Sequence, residues 1–100
     1  MQIEYTPELE AYMKDSGKRN IIVEVASSDS SDIEYSELHI HFVSDKQAEL
    51  FVRRKGFHRY ETNLGTVLLP NYRLEIAPVV TFKLKKVLFI KMVTCDGIKL

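Results

Sequence analysis

Two stretches of the chain alternate between apolar and polar residues, and this alternation is the feature that most constrains the fold. Residues 36–43 and residues 79–85 each place an apolar side chain at every second position. Because successive side chains of a β-strand point to opposite faces of the sheet, this spacing predicts two strands with one face against a core. The apolar residues concerned are Leu38, Ile40, Phe42, Val80, Phe82 and Leu84.

Three further segments predict strands around these two. Residues 20–26 are rich in β-branched side chains, which favour extended backbone. Residues 57–62 and 66–69 flank Asn63-Leu64-Gly65, and this arrangement predicts a β-hairpin.

The last predicted strand covers residues 87–95 and is apolar on both faces. A strand of this kind needs cover on both sides, so we expect a helix, a second strand layer or a second subunit to pack on it. A homodimer formed through this strand is therefore one hypothesis. Asp96-Gly97, which follows, is typical of a turn.

Two short helices are predicted from the signals at their ends. Thr6 is a good N-cap and Gly17 a good stop, which together predict a helix over about residues 7–16. Ser44 begins a second helix that ends at Gly56. The prediction is an α+β, mainly β fold, with curved antiparallel sheets or a small sandwich and one or two short helices.

The length and composition are those of a single domain covering residues 1–100. An apolar content of 45% and a charged content of 28% fit a globular protein. No apolar run approaches the ~20 residues that span a bilayer, and Met1-Gln2-Ile3-Glu4 is unlike a secretory signal. We therefore expect a cytoplasmic protein with no membrane partner.

The sequence contains few of the residue patterns on which a catalytic mechanism depends. Its single cysteine, Cys95, excludes an internal disulfide and a four-cysteine metal site within one chain. The Gly-x-Ser-x-Gly motif of serine hydrolases is missing. We expect Cys95 to be a packing residue, and the protein to be neither an enzyme nor dependent on a cofactor.

His39 and His41 form the motif in this sequence that most strongly suggests a chemical function. Residues two apart on a strand point to the same face, about 6–7 Å from each other, so two imidazoles could share a divalent metal. His58, Asp29 or Asp32 could then complete the ligand set. The alternative is an ordinary solvated strand face.

Charge is balanced in total and unevenly distributed along the chain. Residues 1–50 hold eleven acids and four bases, whereas residues 51–100 hold three acids and ten bases. The two halves either neutralise each other in space or leave a basic face that attracts a polyanion. The residues proposed for such a face are Arg53, Arg54, Lys55, Arg59 and Lys83. The overall neutrality of the chain argues against nucleic acid as that partner.

Six small polar residues, Ser27 to Asp32, interrupt the strand pattern and predict a loop. Hydroxyls and carboxylates together allow three interpretations: an oxygen-rich cation loop, a phosphoacceptor site, or a simple connector. The segment has neither the glycine and final glutamate of an EF-hand loop nor the glycines and lysine of a phosphate loop.

The order of these features resembles the HesB-like superfamily of A-type iron–sulfur carriers. The sequence pattern is similar to that of small members of this superfamily, in which a Cys-Cys or Cys-selenocysteine pair directly follows the second strand. The matching stretches are residues 3–14, 21–26, 63–70 and 84–97. The resemblance implies a HesB-like fold, and it puts Ser27-Ser28 where the family has its ligand pair.

That departure changes the function that the resemblance implies. Serine is a poor substitute for a thiolate as a ligand of a soft metal, and the C-terminal Cys-Gly-Cys of the carriers is reduced to Cys95. We therefore expect a non-enzymatic, HesB-like binding domain that has lost the iron–sulfur ligands. Its partner is an unidentified protein or a second copy of the chain, and polyanion binding is the alternative.

Overall fold

The computed structural model describes residues 1–29 and 34–100, with residues 27–29 and 34–36 described by their backbone alone. The described residues form seven strands and two helices. In chain order these are β1 (Gln2–Tyr5), α1 (Pro7–Ser16), β2 (Asn20–Asp29), β3 (Glu34–Val43), α2 (Asp45–Lys55), β4 (His58–Glu61), β5 (Thr66–Leu69), β6 (Glu75–Val87) and β7 (Ile90–Lys99).

The strands form two sheets, ordered β1-β6-β7 and β3-β2-β5-β4. The predicted α+β, mainly β class is confirmed. Each sheet is mixed and not wholly antiparallel, because β1 pairs with β6 and β5 pairs with β2 in parallel. Parallel pairs join segments that are distant in the chain, so no local pattern announces them.

Both helices begin and end where their capping residues predicted. The Thr6 hydroxyl accepts a hydrogen bond from the Leu9 backbone N–H at 3.4 Å, and Gly17 ends α1. Ser44 and Gln47 form a reciprocal capping box at the start of α2, with the Gln47 N–H donating to Ser44 at 3.1 Å. These local bonds satisfy backbone groups that a helix end leaves unpaired.

Two apolar cores lie on opposite faces of the four-stranded sheet. The larger core joins α1 to both sheets, and its buried members are Leu9, Met13, Ile21, Val23, Val67, Leu69, Val80, Phe82, Val93 and Ile98. The smaller core lies under α2 and contains Ile22, Ala48 and Leu68. Consecutive residues of β2 and β5 are buried because alternate side chains enter different cores.

The predicted hairpin around Asn63-Leu64-Gly65 is confirmed as β4 and β5. The Thr62 hydroxyl oxygen accepts hydrogen bonds from the Leu64 and Gly65 backbone N–H groups at 3.3 and 3.2 Å. It lies 2.8 Å from the Tyr5 hydroxyl, which ties this turn to the other sheet.

The predicted loop over Ser27–Asp32 is wrong in its first half. Ser27, Ser28 and Asp29 belong to β2, and their backbones pair with residues 34–36 of β3. Partner strands supply the hydrogen bonds, so pairing continues beyond the last apolar residue. The rest of that prediction, over residues 30–32, lies outside the described residues.

The predictions for the C-terminal hairpin are wrong in two places. The chain reverses at Leu88-Phe89, inside the segment predicted as one strand over residues 87–95. Asp96-Gly97 is not a turn, because both residues belong to β7 beside a break in register between Ile76 and Thr81. A β-carbon at Gly97 would lie 2.7 Å from the Val79 carbonyl oxygen, so a close strand approach explains this glycine.

Candidate functional site

The most unusual surface of the described molecule is the end of the β6–β7 hairpin. Val87 pairs with Ile90, so Leu88 and Phe89 form a two-residue turn between the strands. Leu88 is 93% exposed and Phe89 is 102% exposed relative to the reference residue. Within the described residues of one chain, neither a helix nor a second strand layer covers the hairpin end, so those two forms of the expected cover are wrong there, and cover by a second subunit remains a prediction.

The turn holds Leu88 in a backbone conformation that suits glycine. Its φ is 55°, and it is the only described residue other than glycine with a positive φ. A positive φ at the first turn residue alone is the sign pattern of a type II′ turn, where glycine is usual. For an L-residue this conformation costs about 1–2 kcal/mol. The exposed leucine side chain gains no packing within the described residues to offset that cost.

Exposed apolar side chains continue from the turn onto one face of the hairpin. Because Val87 pairs with Ile90 and Lys85 pairs with Met92, these residues share a face. Each of the apolar residues among them is more than 40% exposed. We call the following set the tip patch: Val87, Leu88, Phe89, Ile90 and Met92.

Lysines surround the tip patch on both faces of the hairpin. Lys85 lies on the face of Met92, whereas Lys86 pairs with Lys91 on the opposite face. The Lys91 ammonium also lies 5.3 Å from the Tyr12 ring centroid. Residues 76–95 contain four lysines and no acidic residue, so the hairpin end is basic as well as apolar.

The two proposed metal ligands, His39 and His41, lie on the exposed outer face of β3, beside β2. The His41 Nε2 atom is 2.6 Å from a Glu24 carboxylate oxygen, and the His39 Nε2 atom is 2.8 Å from a Glu37 carboxylate oxygen. The structure thus brings both imidazoles to one face, as their spacing predicted, and gives each a carboxylate partner.

The proposed completing ligands are not brought to that face. His58 pairs with Leu69 of the larger core, whereas His41 pairs with Ile22 of the smaller core, so the two imidazoles lie on opposite faces of the sheet. The Asp29 side chain and all of Asp32 lie outside the described part of the structure. Among the side chains that the structure describes, those of residues 1–26 and 37–100, no group of three His, Cys, Asp or Glu is arranged to hold one ion. Divalent metal binding remains a prediction.

The backbones of Ser27 and Ser28 lie further along β2 than Glu24, the residue that pairs with His39. They pair with Ser36 and Tyr35 of β3. The position that the resemblance assigns to a ligand pair is therefore within a regular antiparallel ladder. Their role as a family motif position remains a prediction.

The proposed polyanion residues do not gather at one hollow. Arg54 and Lys55 border a hollow of about 220 Å³ at the end of α2, and Arg53 is exposed on the same turn. Arg59 borders a different hollow of about 200 Å³, together with Glu49 and Glu61. Acidic neighbours at Arg59 weaken its attraction for an anion.

Larger hollows of about 400 and 370 Å³ both border Arg19. In the first, the Asn20 side-chain amide donates to an Asp45 carboxylate oxygen at 2.6 Å, and the Arg19 Nε atom lies 3.9 Å from the same oxygen. These polar groups are bound to one another and hold the start of α2 against β2. We therefore assign this cluster a structural role.

Cys95 is partly buried in β7, on the face of Phe82 and the larger core. Burial, with a smaller contribution from the Asp96 carboxylate, raises the pKa of its thiol to about 11. The thiolate is the form that attacks electrophiles and binds soft metals. At neutral pH this side chain stays protonated, as expected for a packing residue.

The sequence reasoning missed the tip patch because nothing at residues 88–89 reads as a turn. The usual signals are glycine, asparagine or aspartate, and this turn has leucine and phenylalanine. The feature that could have revealed the patch is the set of lysines on either side of residues 87–90: Lys85 and Lys86 before them and Lys91 after them. Such residues are typical of a hydrophobic segment that has to stay out of aggregates.

Comparison of the chain with protein-family models, curated proteins and solved structures found no match. Among the described residues, neither helix is long and apolar enough to cross a membrane.

Proposed function

We propose that this chain is a non-enzymatic interaction domain that docks through its tip patch. The observation that carries the proposal is the exposure of Leu88 and Phe89 on a turn whose backbone conformation disfavours leucine. Strained residues of this kind cluster at functional positions, where the side chain is worth its conformational cost.

Contiguity separates the tip patch from ordinary surface apolar residues. Single exposed apolar side chains are common on folded proteins and need no explanation. Here five of them adjoin one another at the end of one hairpin, and contiguous apolar patches bordered by polar groups mark interaction sites. The lysines that border the patch keep it hydrated until it meets its partner.

The chemistry of Cys95 supports binding over metal transfer. A half-buried thiol with a pKa of about 11 is a weak ligand for a soft metal at neutral pH. Serines stand at the position that the resemblance gives to the ligand pair. We therefore keep the HesB-like relationship as a proposal in which the fold is retained and the cluster chemistry is lost.

Photo-crosslinking from the tip tests the proposal. Benzoylphenylalanine in place of Phe89 should form adducts with a cellular component when the full chain is expressed in its own host. The same group in place of Tyr72, which is 55% exposed in the loop between β5 and β6, is the matched control. We expect adducts at position 89 and little or none at position 72.

Two results would contradict the proposal. Equal adducts at both positions would mean that any exposed aromatic residue of this protein meets the same neighbours. A lack of adducts at position 89, with the variant folded by circular dichroism, would mean that the tip patch has no partner.

A further inference from the structure

We infer that the partner of the tip patch is the anionic surface of a phospholipid bilayer, an inference that rests on the proposed function. The sequence predicted no membrane partner because it has no apolar run that could span a bilayer. A turn that enters only the interfacial layer needs no such run. It needs exposed apolar side chains at its end and cations just behind them.

Charge is the first argument for a lipid surface. Lys85, Lys86 and Lys91 lie within three residues of the turn, and the hairpin has no acid between Ile76 and Cys95. Anionic headgroups attract basic segments next to a membrane, and each lysine near the surface adds to that attraction.

The arrangement of the lysines is the second argument. Lys85 points to one face of the hairpin, and Lys86 and Lys91 point to the other. If the turn enters the bilayer end on, the ammonium groups of Lys85 and Lys86, one on each face, reach the headgroup layer. Lysine side chains suit this position because their stems lie along apolar surface while the charge stays in water.

The shape and size of the tip patch are the third argument. Phe89 and Leu88 project from the end of a hairpin, so the surface is convex. A stable protein interface involves about 20–30 residues on each side, and the tip patch has five. Binding to a bilayer scales with the apolar area that enters it together with the attraction of cations to anionic lipids, so it needs no matching surface of about 20–30 residues.

A second copy of the chain fits the tip patch less well. A two-fold dimer through this surface would bring the same patch of each copy together. The lysines of the two hairpins would then face each other, and like charges oppose such a contact.

The protein is well suited to a fluorescence test, because the natural chain contains no tryptophan. Phe89→Trp places a single indole at the tip, and Tyr72→Trp places one on an exposed loop away from it. The vesicles are phosphatidylcholine alone, or phosphatidylcholine with about 30% phosphatidylserine. We expect the indole emission of the Phe89→Trp variant to shift to the blue with the anionic vesicles only, and that of the Tyr72→Trp variant to stay unchanged.

Sedimentation with the same vesicles separates the apolar contribution from the charge. Leu88→Gly removes an exposed side chain and relaxes its backbone, so a loss of binding cannot be assigned to unfolding. We expect it to weaken binding about tenfold, and the double variant Lys85→Gln/Lys86→Gln to weaken it by a similar factor. Lys46→Gln, an exposed lysine in the first turn of α2, should leave binding unchanged.

Three outcomes would overturn the inference. The first is binding of the Phe89→Trp variant to anionic vesicles without a shift of its emission, which means that the protein adsorbs by charge alone. The second is no vesicle binding together with protein adducts at position 89, in which case the proposed function stands and the partner is a protein or a second copy. The third is no vesicle binding and no adduct, in which case the proposed function fails too.

Discussion

At Leu88 the backbone and the side chain have opposite requirements. Glycine would satisfy the φ of 55° without strain, but only leucine presents an apolar group at the tip. We expect Leu88→Gly to raise the free energy of unfolding by about 0.5–1 kcal/mol, because relief of the strain exceeds the extra freedom that glycine gives the unfolded chain. Urea unfolding measures this difference.

The matched control is Leu68→Ala, at a leucine fully buried in the smaller core. That substitution should lower the free energy of unfolding by about 2–5 kcal/mol. If Leu88→Gly destabilises the protein as well, the leucine is packed, and its exposure in the structure is not its state in solution.

Cys95 gives the protein a pH dependence in the alkaline range. Burial raises the pKa of the folded thiol from 9.0 to about 11, so the unfolded chain ionises first as the pH rises. The stabilising effect is complete below pH 9 and is lost between about pH 9 and about pH 11. Burial also raises the pKa of Tyr5 above 10.0, which extends the loss to higher pH.

Cys95→Ala tests this assignment by removing the thiol. Urea unfolding of both proteins from about pH 8 to about pH 11 should show a shallower decline in stability for the variant. Two parallel curves would mean that the thiol ionises equally in the folded and unfolded states.

At the scale of the elements, the sequence predicted what local chemistry determines. Each helix end depends on residues that are neighbours in the chain, such as Ser44 and Gln47, so both helices are confirmed with their caps. The strand ends depend on partners elsewhere. Ser27 to Asp29 carry no apolar alternation, and only their pairing with β3 makes them part of β2.

The tip patch was unpredictable for a related reason. Residues 87–90 have the composition of a buried strand, and composition alone does not say whether another element covers them. Cover is a property of the assembled fold, in which α1 and both sheets meet at Phe82 and leave the far end of the hairpin free. Conversely, the shared face of His39 and His41 was predictable because their spacing on one strand determines it.

At the scale of the whole molecule, the acidic residues of the first half and the lysines of the second half have different neighbours. Acidic Glu24 and Glu37 have the imidazoles of His41 and His39 as neighbours. Lys83 pairs with Asp96, whereas the lysines nearer the turn lie in a segment without acids. Within the part of the chain that the structure describes, each ion pair joins two residues of the same half of the sequence, so these pairs leave the charge difference between the halves in place. The basic half keeps a segment without acids at the hairpin end.

The two cores predict two levels of cooperativity in unfolding. Phe82 is fully buried where both sheets and α1 meet, and its ring centroid lies 6.0 Å from that of Tyr5. Phe51, a residue of α2, is half-buried against the smaller core, with its ring centroid 5.2 Å from that of Phe57. Because the larger core holds the sheets together, its loss should open the whole molecule, whereas loss of the smaller core should release α2 first.

Hydrogen exchange of Phe82→Leu and Phe51→Leu distinguishes these levels. Phe82→Leu should lower amide protection equally in β2 and β6, by roughly 1–2 kcal/mol. Phe51→Leu should lower amide protection mainly in α2 and leave the amide protection of β6 close to its value in the natural protein. Equal losses in β6 for both variants would mean that the cores unfold as one unit, and that the four-stranded sheet transmits every change in packing from one face to the other.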